Sequence, residues 1–253
     1  MDIDGDTTAA ALAQTWEVLG HADPADSWMV RDGGAIGLVT GTKLAALNGV
    51  WSERVNPDPD VVAGLLDRVA ATGLPYCLQL RPGAGAALAQ LAAARGMRAG
   101  HASPLMALTD PARLIPAQQV AGLKIRQLDP EEAELHVAVA AAGFELPEEP
   151  LRQLVSPRLL SLPGVRCYLG EADGHPVTTG IGVTLGPFVG IFNIATPPAD
   201  RGHGYGGAVT ARVVSDGLAA GASWSWLQSS SAGFGVYERL GFRTVESWRV
   251  WLN

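Results

Sequence analysis

The chain has 253 residues, 47% of them apolar and 17% charged, with a formal net charge of −7. That is ample for one large core or two ordinary ones, and too acidic for nucleic acid or an anionic membrane surface to be the main partner. Only Cys77 and Cys167 are present, so there is no disulfide framework and no zinc-like cluster. The acidic start Met1-Asp2-Ile3-Asp4-Gly5-Asp6 lacks a signal peptide's basic start and apolar run, and no apolar run is long enough for a membrane span, which makes a cytoplasmic protein the expectation.

Thr8 to Leu19 reads as a helix with Ala10, Leu12, Trp16 and Leu19 inward. Trp28 to Val30, Ala35 to Val39 and Ala45 to Trp51 read as strands, the first two joined by Asp32-Gly33-Gly34. Asp60 to Ala71 has Val61, Val62, Leu65, Leu66 and Val69 on one helical face and Gly73 as its stop. Tyr76 to Leu80 is a buried strand, Ala84 to Arg95 an alanine-rich helix, and Arg98 to Leu108 a closing strand or pair of strands. Asp110 to Gly122, with Pro111 and Pro116, loses periodicity and reads as a boundary. The expected division is a domain at 1–112, a linker at 113–122 and a domain at 123–253.

The second half restarts with a strand at Lys124 to Leu128 and a helix from Asp129 to about Ala142, broken at Phe144-Glu145-Leu146-Pro147. Glu148 to Leu154 is a short helix. Val165 to Leu169 and Val177 to Thr184 are strands joined by Asp173-Gly174. Val189 to Ala195 is a strand, Ala208 to Ala219 a helix stopped by Gly221, Ser223 to Gln228 a strand, Ala232 to Leu240 a short helix, and Thr244 to Leu252 the strand expected to close this sheet.

Between the strand ending near Thr196 and the helix from Ala208 lies Arg201-Gly202-His203-Gly204-Tyr205-Gly206-Gly207. A strand, a tight glycine loop and a helix leave unpaired N–H groups at the positive end of a helix dipole, which suits a phosphate or diphosphate. Glycines allow positive φ and close backbone approach, and Arg201 adds a fixed charge. Three readings compete. The loop can be a plain turn. It can be a dinucleotide fingerprint, since Gly202, Gly204 and Gly207 spell G-x-G-x-x-G, although no acid stands about 20 residues on and the chain after Gly207 is too short to complete a doubly wound sheet. Or it can hold the diphosphate of coenzyme A.

The two halves also repeat one order of elements. Pro57 aligns with Pro197 and Gly96-Met97 with Gly241-Phe242, and the first half is shorter where the second carries its glycine loop. At that place it has Asn56-Pro57-Asp58-Pro59-Asp60, with no glycine and two acids that would repel a phosphate.

From Lys124 to Asn253 the chain resembles the GCN5-related N-acetyltransferase family. Arg201, Gly204 and Gly206 match its diphosphate motif, and Tyr237-Glu238-Arg239-Leu240-Gly241-Phe242 matches its later motif, with Ser230 at the family's asparagine position and Gly233 at its small-residue position. The resemblance implies an α/β (α+β) fold of two tandem acetyltransferase-like domains, each a mixed, largely antiparallel sheet flanked by helices, the first a degenerate copy. It implies acetyl-coenzyme A as cosubstrate and no metal. Ile194, Ala195 and Thr196 would pair with the pantetheine arm, and Arg201, Gly202, His203, Gly204, Tyr205, Gly206 and Gly207 would hold the diphosphate, with Ser230 and Tyr237 also at the coenzyme. A primary amine of a small molecule or peptide would attack the thioester, and Tyr237 would protonate the departing thiolate. No single base declares itself: Glu145 lies in the break where the resemblance places acceptor contacts, His203 sits in the loop facing solvent or phosphate, Glu171 and Glu246 read as surface carboxylates, and a water chain can serve instead. Phe144, Trp224, Trp226, Trp248 and Trp251 can line the acceptor pocket or belong to the core. Tyr237 can equally be core, since Phe234, Tyr237 and Leu240 are three apart. A non-catalytic acyl-coenzyme A sensor is the alternative, and monomer or homodimer stays open.

Overall fold

A computed structural model of the chain describes residues 3–20, 27–115 and 120–253. In chain order the elements are α1 (Gly5–Gly20), β1 (Trp28–Asp32), β2 (Ala35–Val39), β3 (Asn48–Ser52), α2 (Pro59–Ala70), β4 (Cys77–Leu80), α3 (Ala86–Ala94), β5 (Arg98–Ala99) and β6 (Ser103–Leu108). Then follow β7 (Leu123–Gln127), α4 (Ala133–Phe144), α5 (Glu148–Leu154), α6 (Pro157–Leu160), β8 (Val165–Ala172), β9 (His175–Leu185), β10 (Phe188–Ala195), α7 (Tyr205–Ala219), β11 (Trp224–Gln228), α8 (Phe234–Arg239) and β12 (Arg243–Leu252). They form two compact units, one of Asp4–Leu105 with Thr244–Asn253, the other of Met106–Arg243 with Ile3.

In the first unit the strands run β1-β2-β3-β4-β12. All neighbours are antiparallel except β3 and β4, which the crossover helix α2 joins in parallel. The helical period read from the sequence holds, because Val62, Leu65, Leu66 and Val69 are buried against Val50, Leu78 and Leu80. Ala45–Leu47, expected as strand, is a 3₁₀ turn. The amide of Asn48 donates to the carbonyls of Thr42 and Leu44 at 2.8 and 3.2 Å, and these bonds favour a folded chain just before β3 begins.

The strand expected to close the sheet of the second half does not do so. β12 pairs with β4, Arg249 opposite Leu80 through Leu252 opposite Cys77, and belongs to the first unit. The reason is a buried charge cluster. Arg81, 2% exposed, donates from Nε and Nη2 to the Glu246 carboxylate at 2.9 and 2.7 Å. Its Nη1 donates to Glu53 O at 2.9 Å and lies 2.6 Å from Asp6 Oδ1. Trp248 Nε1 donates to Glu246 at 2.9 Å. A guanidinium this buried is tolerated only when its donors find acceptors, and Glu246 on β12 takes two of them.

The second unit orders its strands β7-β8-β9-β10-β11, antiparallel except β10 with β11. Thr179 and Gly180 are adjacent on β9 and so point to opposite faces. Thr179 touches His136 of α4, while a Cβ on Gly180 would lie 3.5 Å from Val209 of α7, so the two helices cover the two faces. Val209, Val213 and Val214 of α7 bury against Val189, Ile191 and Leu227. The stretch expected as a linker is docked as far as Ile115: Pro111–Arg113 form a 3₁₀ turn and Ile115 N donates to Leu240 O at 3.1 Å. Residues 116–119 of that stretch lie outside those described. Among the described residues no helix is long and apolar enough to cross a membrane.

Replacing Glu246 by Leu leaves Nε and Nη2 of the buried Arg81 without their acceptor while Glu53 O and Asp6 still meet Nη1, and removing one partner of a buried pair costs about 3–5 kcal/mol. Urea unfolding of Glu246→Leu should register that loss. A change below about 1 kcal/mol would place the pair with ordinary surface ion pairs.

Candidate active site

The site grows from a parting of two strands. β10 and β11 pair in parallel at Phe188 with Trp224, Val189 with Ser225 and Gly190 with Trp226, and no further. β10 runs on to Ala195 and β11 to Gln228. Beyond the pairing β10 is irregular: its register against β9 shifts between Phe192 and Ala195, and Asn193 has φ 50°. Such a bulge bends a strand and frees backbone groups from the ladder. The sequence alone did not single out Asn193.

After β10 the chain turns through Pro198–Asp200 into the glycine loop. α7 begins at Tyr205, three residues earlier than its glycines suggested, because Gly204 caps it in the left-handed conformation with φ 84°. Ala208 N donates to Gly204 O at 3.0 Å. Among the described residues the amides of Gly202 to Gly207 find no acceptor. A Cβ placed on Gly206 would sit 3.5 Å from Thr196 Oγ1 and 3.7 Å from Ile194 Cγ2, so the helix start lies directly over the end of β10. His203 stacks on Tyr205 with ring centroids 5.4 Å apart, and its Nδ1 lies 3.1 Å from Asp200 O at the exposed rim.

α8 closes the third side. A Cβ on Gly207 would meet Val236 Cγ1 at 3.6 Å, so α8 packs on the first turn of α7 through Val236, the residue before Tyr237. Tyr237 packs edge-on to Phe242, centroids 6.2 Å apart, against the α7 core. Burial pushes its phenol up to about 12, and no described residue takes its hydroxyl. Ser230 caps α8, its Oγ accepting from Gly233 N at 3.2 Å and its carbonyl from Phe234 N at 3.1 Å. Thr178, which the sequence reading passed over, donates to Ala195 O at 2.9 Å and lies 3.1 Å from Thr196 Oγ1.

Ile194 and Thr196 thus lie against the start of α7 at Gly206, while Tyr237 of α8 packs on the apolar cluster that α7 and β10 share. Trp224 and Trp226 are buried on β11, and Phe192, beside Trp226 at 5.4 Å, joins them. Trp248, Trp251 and Glu246 belong to the first unit. Glu171 is engaged by Arg126. No family model matches the chain, and no curated protein does either. Solved structures do. A GCN5-related N-acetyltransferase from Kribbella flavida superposes with TM-score 0.71 over 97% of this chain and 95% of its own, at 21% identity.

The chain has the GCN5-related N-acetyltransferase fold.

A second such protein, from Sphaerobacter thermophilus, matches with TM-score 0.63 over 96% of this chain and 84% of its own, at 14% identity. A tandem GNAT protein from the clavulanic acid biosynthesis pathway matches with TM-score 0.57 over all of this chain and 96% of its own, at 16% identity. Within the acetyltransferase fold of the second unit, α4 is registered on the sheet by His136, which is fully buried. Thr179 donates its hydroxyl to Tyr168 O at 2.7 Å, so it must accept from His136 Nδ1 at 2.6 Å. The tautomer is then Nδ1–H, and Nε2 is a buried lone pair without a partner among the described residues. Cys167 Sγ lies 3.1 Å from the same Nδ1, and burial holds that thiol up at about 12, where it is inert.

Burial depresses His136 to about 3, from an ordinary value of 6.5. The unfolded chain gains a proton below 6.5 that the folded chain refuses until about 3. Stability is therefore unaffected above that window and falls within it by up to about 1.4 kcal/mol per pH unit from this group. His136→Leu should flatten the fall in urea midpoint between pH 6.5 and 4, and an unchanged slope would exclude His136 as its source.

Proposed function

We propose that the second unit is an N-acetyltransferase that moves acetyl from acetyl-coenzyme A to a primary amine of a small molecule or peptide. The observation that carries this reading is the row of unpaired amides from Gly202 to Gly207 beside strands that part after Gly190 and Trp226. Coenzyme A supplies an activated thioester; everything else is done by the chain. The amides and dipole of α7 hold a diphosphate. The free backbone of β10 from Ile194 to Thr196 accepts an extended arm as an added strand. A backbone N–H of the parted strand polarises the thioester carbonyl. The amine nitrogen forms the new bond to the acyl carbon, the carbon–sulfur bond breaks, and Tyr237 gives its proton to sulfur. The amine's own proton leaves to water. Burial keeps the Tyr237 phenol protonated, so it has a proton to give, and an apolar wall disfavours a thiolate as it does a phenolate.

The first unit holds no second site on this reading. Where α7 presents bare amides, α2 is capped by Asp58, whose carboxylate accepts from Asp60 N at 2.9 Å. Where β10 and β11 part, β3 and the end of β4 are bridged: Arg81 N, two residues past Gln79, donates at 2.7 Å to the Oγ of Ser52, one residue past Trp51.

Calorimetric titration should find acetyl-coenzyme A binding once per chain and NAD not at all. A panel of amines, amino acids, aminoglycosides and peptides should reveal turnover. Tyr237→Phe should keep coenzyme affinity within about threefold and lose about 100-fold or more in turnover, the usual reach of a general acid. Full turnover in that variant would remove Tyr237 from the chemistry. Binding without turnover for any amine would favour a non-catalytic acyl-coenzyme A sensor.

A further inference from the structure

Arg201 stands at the mouth of the amide cradle, yet its side chain turns away from it. Nε donates to Thr196 O at 3.2 Å, and Nη2 donates to Gly143 O at 2.8 Å and to Glu145 Oε1 at 3.1 Å. One planar fork thereby joins the end of β10 to the end of α4. The contact is close. A Cβ on Gly143 would lie 2.8 Å from Ala195 Cβ and 2.9 Å from Thr196 N, so only glycine lets α4 end there. Glu145, the next residue but one, caps α4 in the left-handed conformation with φ 57° and ψ 42°. Glycine or asparagine is the usual occupant of such a cap, and a glutamate there is disfavoured unless its side chain has a task. Among the described residues the carboxylate of Glu145 has Arg201 as its partner. On either side Phe144 and Leu146 stand 40% and 38% exposed, two of the four large apolar side chains so displayed among the described residues.

Taking the acetyltransferase reading as given, we propose that Arg201 and Glu145 are positioning residues for the acceptor side. The pair holds the elbow between α4 and α5 against β10, fixing where Phe144 and Leu146 stand, and leaves the coenzyme's diphosphate to the backbone amides after residue 201. An exposed ion pair alone contributes little. Here the guanidinium plane is fixed by three acceptors on two segments 58 residues or fewer from it in sequence, and the bond to the Gly143 carbonyl is partly buried. Glu145 is then an anchor rather than the base that removes the amine's proton, since its oxygen already accepts from Arg201.

The test uses the full chain. Amide exchange is followed at Glu145 and Leu146, whose N–H groups donate to Ala142 O and Ala141 O at 3.3 and 3.0 Å. Arg201→Met should speed their exchange about tenfold, the scale of a lost charged hydrogen bond, while acetyl-coenzyme A affinity in calorimetry falls less than about threefold. Arg201→Lys, which keeps one donor, should recover part of the protection. Glu145→Gly should keep or raise the thermal midpoint, because the left-handed position is relieved, and still speed the same amides. For a panel amine that the unaltered chain acetylates, KM should rise with kcat within about threefold. Tenfold weaker coenzyme binding with unchanged exchange would make Arg201 a diphosphate ligand and overturn the proposal. A fall in kcat at unchanged KM would overturn it as well, and return Glu145 to the chemistry. If the unaltered chain binds no acetyl-coenzyme A, the acetyltransferase reading fails by itself, and the exchange rates still decide whether the pair holds the elbow. If Arg201→Met fails to fold, Arg201→Lys and Glu145→Gly carry the same comparison.

Discussion

Three residue pairs decide the architecture of the candidate site. β10 and β11 share a parallel ladder from Phe188 to Gly190 and then separate. Parallel strands in the interior of a sheet normally stay paired, because an unpaired backbone amide away from water is costly. Here the bulge at Asn193 turns β10 out of the ladder, and the short crossover through Pro198–Asp200 sets the start of α7 over the strand's free end. The helix terminus and the loose strand end meet there. The glycines then serve two purposes. Gly204 permits the left-handed cap, and Gly206, where a Cβ would make only ordinary contacts with Thr196 and Ile194, leaves the helix start bare.

The first unit meets the same geometric problem and solves it with its own side chains. After three parallel pairs between β3 and β4, Ser52 and the Arg81 backbone close the gap, and the Arg81 guanidinium reaches the carbonyl of Glu53. The helix that follows is capped by a carboxylate of the chain. A diphosphate and an aspartate make similar demands on a helix terminus, and at the start of α2 the aspartate already meets them. The cost is a buried cation, which the chain then matches with Glu246 from β12.

Much of this was legible in the residues. The helical face of α2, the strand–loop–helix order around Arg201, the elbow at Phe144 to Pro147 and the short helix before Phe242 follow from local periodicity and from glycine and proline. What escaped depends on partners far apart in sequence. Alternation in Thr244 to Leu252 declares a strand but not its neighbour, and the ion pair that chooses the neighbour spans 165 residues. The direction of the Arg201 side chain was equally hidden, since its acceptors lie on a helix end 58 residues earlier. His136 gave no local sign of being buried between Cys167 and Thr179, because α4 is alanine-rich on nearly every face.

The membership of β12 in the first unit has a consequence for how the chain is made. That unit's sheet stays one strand short until the ribosome has produced everything through Leu252, although the rest of the unit is synthesised first. Unlike chains whose domains mature one after another as they emerge, this one must hold its leading half open, with the Arg81 guanidinium lacking Glu246, until the trailing half has been translated. Injury to the carboxyl-terminal tail would therefore be felt first in the amino-terminal unit.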